Sequence, residues 1–429
     1  MRAEVLAIGS ELVSGQALDT NSQWLSQALS QAGVTVAFHT SVGDVLEDNV
    51  QALRIAIERS DLVVTTGGLG PTQDDLTRDA VAVVAGVPLR EDAASLEAIA
   101  AMFTARNRRM TERNKVQALF PEGAEVLANR VGTAPGIWMK LGRATIACLP
   151  GIPSEMRVMF QEQVLPRIRR QRGSDRVYHH RKINLFGRGE SDIEAQALDL
   201  TARGRIPEVG ITVHDATISF RIVGEGATEE EARAQTNATA ALIYERFGNL
   251  VVGEGSDDVP EATAAMLFQT GATLATAESC TGGLIAHLIT KIPGISRCFL
   301  GGIVAYSNDA KVTLLEVPRE LVAAHGAVSP EVAGAMAEGA RRRFGADLAI
   351  SATGVAGPSG GTLEKPVGLV YVGLATKEGV ETWRLNLGSD QPRDLIQLRA
   401  AKIALDRVRL RLLSWSKEGQ AAGVSAASS

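Results

Sequence analysis

Val63-Val64-Thr65-Thr66-Gly67-Gly68-Leu69-Gly70-Pro71-Thr72-Gln73-Asp74-Asp75-Leu76-Thr77 reads as a Val-rich strand that runs into a glycine loop and then into a helix. Glycines at such a junction let backbone amides approach an anion closely, and a following helix N-terminus adds a favourable dipole. Gly67, Gly68 and Gly70 are therefore candidate phosphate-binding positions. The neighbouring Asp74 and Asp75 carry two readings: carboxylates that cap a helix start, or carboxylates that hold a divalent cation together with substrate oxygens.

Working outward, Ala3 to Ile8 has the pattern of a buried strand, and 21–31 that of an amphipathic helix with Trp24, Leu25 and Leu29 on one face. A strand at 34–38, a helix at 46–59 and the strand at 61–66 follow; a strand at 144–148 and the helix after Pro153 extend the same sheet. Strands separated by helices imply parallel pairing with right-handed crossovers, so the N-terminal part is expected to be a doubly wound α/β domain. Ligands of such sheets bind beyond the carboxyl ends of the strands. Glu11 and Asp44, which follow the first two strands, could converge on that crevice with Asp74; as loop acids they could equally be solvated.

Composition sets the outer limits. A chain of 429 residues exceeds what one hydrophobic core serves, so two or three domains are expected. With 44 basic and 49 acidic residues and a formal charge of −5, the chain lacks the excess of Lys and Arg that coats nucleic acid. No run approaches the roughly 20 apolar residues that span a bilayer, and the expected location is the cytoplasm, with no membrane partner. Cys148, Cys280 and Cys298 are too few and too scattered for a disulfide framework or a four-cysteine zinc site; Cys148 and Cys298 read as small core residues. His179-His180 are placed on a strand edge.

A charged connector at 172–178 leads to a small α+β unit, with strands at 182–186, 209–213 and 217–223 and helices at 191–200 and 228–247. A linker is expected at 253–258, and helix and strand then alternate up to a last helix at 392–413. The expected division is 1–172, 173–255 and 256–415, with a disordered tail at 416–429.

The C-terminal part has its own glycine corner. A strand at 272–276 leads to Ala277-Glu278-Ser279-Cys280-Thr281-Gly282-Gly283-Leu284, which opens a helix. Ser279 is either the N-cap of that helix or a nucleophile, and the amides of Thr281, Gly282 and Gly283 could donate to an oxyanion or a phosphate. Cys280 has no histidine placed by sequence to activate it. Gly301 to Lys311 is a strand ending in a polar turn; Lys311 is a surface residue or, if buried beside a serine, a general base, with Tyr306 relaying a proton or orienting it. A third strand ends at Thr353-Gly354 in a loop suited to lining a small polar ligand.

Ile8-Gly9-Ser10-Glu11-Leu12, Asp19 to Ser22, Thr65 to Asp75, Met110 to Glu112, Val131 to Gly136, Leu149 to Met156, Ala277 to Gly283, Tyr306 to Lys311, His325 to Ser329 and Thr353 to Pro358, in this order, resemble the CinA family over essentially the whole chain. The resemblance implies a molybdopterin-binding-like N-terminal domain, a KH-type middle domain and a C-terminal nicotinamide-nucleotide amidase domain. For the first domain it implies hydrolysis of ADP-ribose with a divalent metal (Mg, Co or Mn) and potassium, with Glu11, Asp44, Asp74 and Asp75 as candidate ligands; position 10 is Ser where several relatives carry Asp or Asn. For the last domain it implies, with no cofactor, deamidation of nicotinamide mononucleotide to nicotinate mononucleotide. There Ser279 attacks, Lys311 accepts its proton, Tyr306 assists, the amides of 281–283 hold the oxyanion, Thr353 and Gly354 line the pocket, and Arg399 and Ser329 are candidate contacts to the phosphate. A homodimer is implied, and the recombinase RecA is a candidate partner. The alternative from another class is a competence and DNA-damage adaptor whose N-terminal domain binds molybdopterin or a nucleotide without turnover. Gly187-Arg188-Gly189 and Gly224-Glu225-Gly226 do not match the G-x-x-G clamp of nucleic-acid-binding KH folds, so the middle unit reads as a spacer or dimer element.

Overall fold

Leu62–Thr66, the strand before the glycine loop, is buried at every residue in the computed structural model, which describes residues 1–172 and 176–427. It lies inside a six-stranded sheet of order Thr35–Val42, Arg2–Ile8, Leu62–Thr66, Ala144–Leu149, Gly136–Leu141, Glu125–Leu127. The first four strands are parallel and the last two antiparallel. Alternation along the strand feeds two cores. Leu62 and Val64 pack with Leu25, Leu29, Met156 and Phe160 on one face, and Val63 packs with Leu53, Ala56, Ala80 and Val81 on the other. Burial on both faces explains the near-continuous apolar run of a parallel strand. The helix Thr20–Gln31 starts where the Asp19 carboxylate accepts the Ser22 N–H at 2.9 Å, and Trp24 stands edge-on to Phe160. One expectation shifts. The helix after the glycine loop begins at Thr77, so Asp74 and Asp75 lie in the loop and not at the helix start.

The middle segment is a four-stranded sheet of order Glu208–His214, Thr217–Gly226, Val177–Leu185, Val251–Glu254, with the helices Glu190–Gln196 and Glu229–Phe247. Gly253 and Glu254, expected in a linker, are strand residues paired with Asn184 and Ile183. His179 and His180 belong to an interior strand of this sheet rather than an edge strand. The expected connector falls partly on 173–175, outside the described residues.

The C-terminal sheet has the order Phe299–Val304, Leu274–Glu278, Leu348–Gly354, Leu369–Ala375, Val380–Asn386, the first three parallel and the last two antiparallel. Parallel strands end on the same side, so the corners after Glu278, Val304 and Gly354 meet there. Cys298 and Cys148 are buried, as their core reading requires. The last helix runs Arg393–Ala427, well past Leu413 and through most of the segment expected to be disordered. After Leu413 the chain has no proline, and Lys417, Glu418, Gln420, Ala421 and Ala422 are good helix formers. Ser428 and Ser429 lie outside the described residues.

Internal contacts divide the chain into two compact units, Met1–His179 with Glu225–Ala232, and the remainder. Most of the middle segment thus packs with the C-terminal domain: Phe186 and Val252 enter its apolar core, and a polar cluster lies at the hairpin tip. At the hairpin tip Asp215 and Ala216 both take positive φ, 49° and 62°, the left-handed pair of a type I′ turn. The Lys402 ammonium, 4% exposed, donates to the Asp215 carbonyl at 2.6 Å, to Thr217 Oγ1 at 3.1 Å and to Asp258 Oδ2 at 2.6 Å. Removing one partner of such a pair strands the other. Lys402→Met is expected to lower unfolding free energy by about 3 kcal/mol in urea titrations, and Asp258→Asn by less, because the amide still accepts from Lys402.

Candidate active site

Glu278 ends the strand Leu274–Glu278 and turns inward, almost fully buried. Its carboxylate accepts the N–H groups of Gly283 at 3.0 Å, Ile285 at 3.0 Å and Ala286 at 2.8 Å, and so caps the helix Leu284–Thr290 from outside. That decides between the two readings of Ser279. The serine is not the N-cap, and its hydroxyl is free to face elsewhere.

Ser279 is tied to the neighbouring strand through its N–H and the Ala352 carbonyl at 2.9 Å, and Gly282 N–H closes a turn on the Ser279 carbonyl at 3.1 Å. Its Oγ, on a residue 8% exposed, stands 3.0 Å from Nζ of Lys311, 1% exposed, across 32 positions of sequence. Lys311 Nζ also donates to the Ala305 carbonyl at 2.9 Å and the Tyr306 carbonyl at 3.2 Å. No carboxylate pairs with it among the described residues. Burial pulls its pKa below the ordinary lysine value. Ser279 Oγ and the two carbonyls all accept from the amine here; once it is neutral it keeps two hydrogens for the carbonyls and a lone pair for the Ser279 hydroxyl. Lys311 also sits in the first turn of the helix Asn308–Leu315, where the dipole disfavours a cation.

The two groups open into a cavity of about 270 Å³ lined by Asn308, Ala327, Thr353, Gly354, Gly357 and Arg393 among others. Cys280 lines it as well, but burial pushes its thiol up to about 12, so it stays protonated near neutrality and is no nucleophile. Thr353 Oγ1 donates to the Ala327 carbonyl at 2.8 Å, which orients the loop it belongs to.

Several expected residues take other places. Tyr306 serves the lysine through its backbone carbonyl; its ring is 61% exposed, and its hydroxyl accepts from Arg393 at 3.0 Å. Arg399 is spent on the Leu387 carbonyl at 2.9 Å and does not line the cavity. Ser329 caps the helix Pro330–Phe344, accepting the Val332 N–H at 3.3 Å. Gly283 N–H is taken by Glu278 and Gly282 N–H by Ser279, so neither is open to an oxyanion; the Thr281 N–H has no partner among the described residues, and the Cys280 N–H meets only its own thiol. Arg393 was missed by sequence reading. An arginine in the first turn of a helix opposes the dipole, and that misfit is the signal which could have found it.

The N-terminal crevice is built differently from expectation. Gly67 and Gly68 have φ of 108° and 67°, and a Cβ on Gly67 would stand 2.1 Å from the Ile8 carbonyl oxygen, so only glycine fits there. Gly70 N–H is not free: it donates to Asp75 Oδ1 at 2.8 Å, while Thr72 N–H donates to Asp75 Oδ2 at 2.8 Å. Asp75 is thereby a loop brace. Beneath the loop the buried Arg78 guanidinium donates to the Leu69 and Gly70 carbonyls, and burial brings its pKa down to about 10. Asp44 accepts Ser10 N–H at 2.8 Å and returns its own N–H to Ser10 Oγ at 3.1 Å. Glu11 folds its carboxylate over Gly9, and Asp74 is exposed. Among the described residues no three Asp, Glu, His or Cys side chains converge where they could hold a metal ion. These acids do not form a protein-built cation cage, and a metal would have to be held mainly by the phosphates of a ligand.

Comparison with known proteins bears on all three parts. The family model of the CinA C-terminal domain matches residues 256–412, that of the "Probable molybdopterin binding domain" 4–170, and that of the damage-inducible protein CinA KH domain 180–253. A protein of Caldanaerobacter subterraneus whose name refers to competence and damage induction is 42% identical over 409 residues, 95% of this chain and 98% of its own. A CinA-like protein of Dictyoglomus thermophilum is 41% identical over 414 residues, 96% and 100% of the two chains. The crystal structure of a competence/damage inducible protein from Agrobacterium tumefaciens is 39% identical and covers 36% of this chain and 93% of that one, with a TM-score of 0.35. Among the described residues no helix is long and apolar enough to cross a membrane.

Proposed function

The chain belongs to the CinA family, and from that membership and the pairing of Ser279 with Lys311 we propose that its C-terminal domain hydrolyses the carboxamide of nicotinamide mononucleotide to nicotinate mononucleotide and ammonia. The observation that carries this reading is the buried amine 3.0 Å from the serine, with two carbonyls placed to take its hydrogens.

Ser279 Oγ attacks the amide carbon as its proton passes to Lys311 Nζ, and the carbonyl oxygen becomes an oxyanion. The amides of Cys280 and Thr281 are its donors, the first exchanging its own thiol for the stronger acceptor. The C–N bond then breaks as Lys311 returns the proton to the leaving nitrogen, which departs as ammonia and leaves an acyl ester on Ser279. Water, deprotonated by Lys311, cleaves the ester and restores the hydroxyl. Glu278 holds the corner throughout by capping the helix behind it.

Incubating the purified chain with nicotinamide mononucleotide and measuring ammonia and the nicotinate product tests the proposal; a wild-type chain that forms neither removes it. Arg393 supplies the cation for the substrate phosphate, and Tyr306 an exposed ring for the flat pyridinium. Arg393→Met is therefore expected to raise KM about 10- to 100-fold with kcat within a few fold, the loss of one charged hydrogen-bonding contact. The same substitution should leave turnover of the phosphate-free riboside nearly unchanged, and an equal loss on both substrates would exclude the phosphate role.

For the N-terminal domain we propose a phosphate-bearing nucleotide ligand, ADP-ribose in the first instance, with a divalent cation carried on its pyrophosphate. Two observations favour a ligand there. The Gly67-Gly68 turn admits no side chain, and Asn21, which donates to Thr66 Oγ1 at 3.0 Å and the Gly151 carbonyl at 2.7 Å, keeps a buried Oδ1 without a partner among the described residues. Appearance of AMP from ADP-ribose with Mg, Mn or Co distinguishes turnover from binding alone.

A further inference from the structure

The turn at the nucleophile has four residues, Ser279 to Gly282, closed by Gly282 N–H on the Ser279 carbonyl at 3.1 Å. Its central peptide joins Cys280 to Thr281. Type I and type II turns differ by a half-rotation of that peptide, and type II demands positive φ at the third residue. Thr281 does not have it, whereas Gly282 and Gly283 do, at 62° and 100°. The turn is therefore the type I form. Thr281 is β-branched, and a left-handed conformation would be costly for it.

Gln397, from the second turn of the last helix, reaches this peptide. Its Nε2 donates to the Cys280 carbonyl at 2.7 Å across 117 positions of sequence. A trans peptide is planar, so its C=O and N–H point in opposite directions. Whatever grips the Cys280 carbonyl thereby sets the direction of the Thr281 N–H, which has no partner among the described residues. In a type I turn the second and third N–H groups point broadly together, as the free ones do at a helix start. The Cys280 and Thr281 amides thus form a pair, one and two residues beyond the nucleophile.

We propose that Gln397 is a positioning residue for amide hydrolysis, holding the Cys280–Thr281 peptide so that the Thr281 N–H donates to the oxyanion. The role rests on the amidase reading of Ser279 and Lys311. It is not a substrate contact: the amide side chain acts through the backbone, and its effect falls on the transition state, where the oxyanion exists, and not on ground-state binding.

The test is steady-state kinetics of ammonia release from nicotinamide mononucleotide by the full chain. Gln397→Ala is expected to lower kcat about 10- to 100-fold, short of or equal to the removal of an oxyanion donor, with KM within about threefold. Gln397→Glu separates positioning from bulk. An ionised carboxylate cannot donate to the Cys280 carbonyl, but a protonated one can, so the ratio of its kcat to wild type should climb as pH falls from about 8 to about 5, while the Ala ratio stays flat. A Gln397→Ala chain with kcat within twofold of wild type, a loss confined to KM, or a Glu ratio independent of pH each overturns the proposal. A melting temperature close to wild type in both variants assigns the kinetic loss to the turn and not to unfolding. If wild type itself releases no ammonia, the amidase reading fails and this inference with it; an active wild type beside a normal Gln397→Ala chain removes the inference alone.

Discussion

Ser279→Ala is expected to reduce ammonia release by about 10⁵-fold or more, with substrate affinity close to wild type, because the hydroxyl is the group that forms the covalent bond and other contacts remain. Its neighbour offers no bypass. Cys280 is as close in sequence as a substitute nucleophile can be, yet its thiol is pushed up to about 12 and stays protonated. Ser279→Ala and the double change Ser279→Ala with Cys280→Ala should therefore be equally inactive. The check is single-turnover ammonia assay on both, with trapping of the acyl ester by mass spectrometry on wild type. Residual activity in the single variant that disappears in the double one would move the nucleophile to Cys280.

Lys311→Met should be nearly as damaging, about 10³- to 10⁵-fold in kcat, since the hydroxyl loses the base that takes its proton. Two pH signatures accompany it. In wild type the lysine works as the free amine, so kcat rises as pH climbs through its depressed pKa and then levels; any remaining activity of the Met variant should lack that limb. Stability carries a second trace of the same shift. Burial lowers the pKa in the folded chain, so between the folded and the unfolded value the unfolded state binds more protons. Wild type then loses stability as pH falls through that window, and Lys311→Met, which has no such proton to bind, should gain melting temperature relative to wild type over the same range. A difference in melting temperature that does not change with pH would mean that the amine keeps an ordinary pKa, and the base assignment would fall.

The glycine loop of the N-terminal domain shows where sequence patterns stop. Gly67 and Gly68 were legible because only glycine takes their left-handed backbone so close to Ile8 and Thr77 respectively, a steric matter. Asp75 was not, since its two oxygens are spent on Gly70 and Thr72, and a carboxylate that braces a loop looks in sequence like one that waits for a cation. Arg78, buried under the same loop, carries no periodic signal that separates it from a surface arginine of a helix.

The alternation of strands and helices and the glycine corners came from the chain alone, because periodicity and turn chemistry act over a few residues and write themselves locally; Ser279 and Lys311 were singled out as a pair by the family resemblance, since their residues alone left a cap and a surface lysine open. Three things came only from the packed structure. Which oxygen caps the helix at 284–290, Glu278 or Ser279, depends on a side chain turning back from a strand end. That burial lowers the pKa of the amine at 311, and which carbonyl Gln397 holds 117 positions away, depend on distant segments. Solvent exclusion is a property of all the layers around a group at once, and no stretch of sequence near that group contains it.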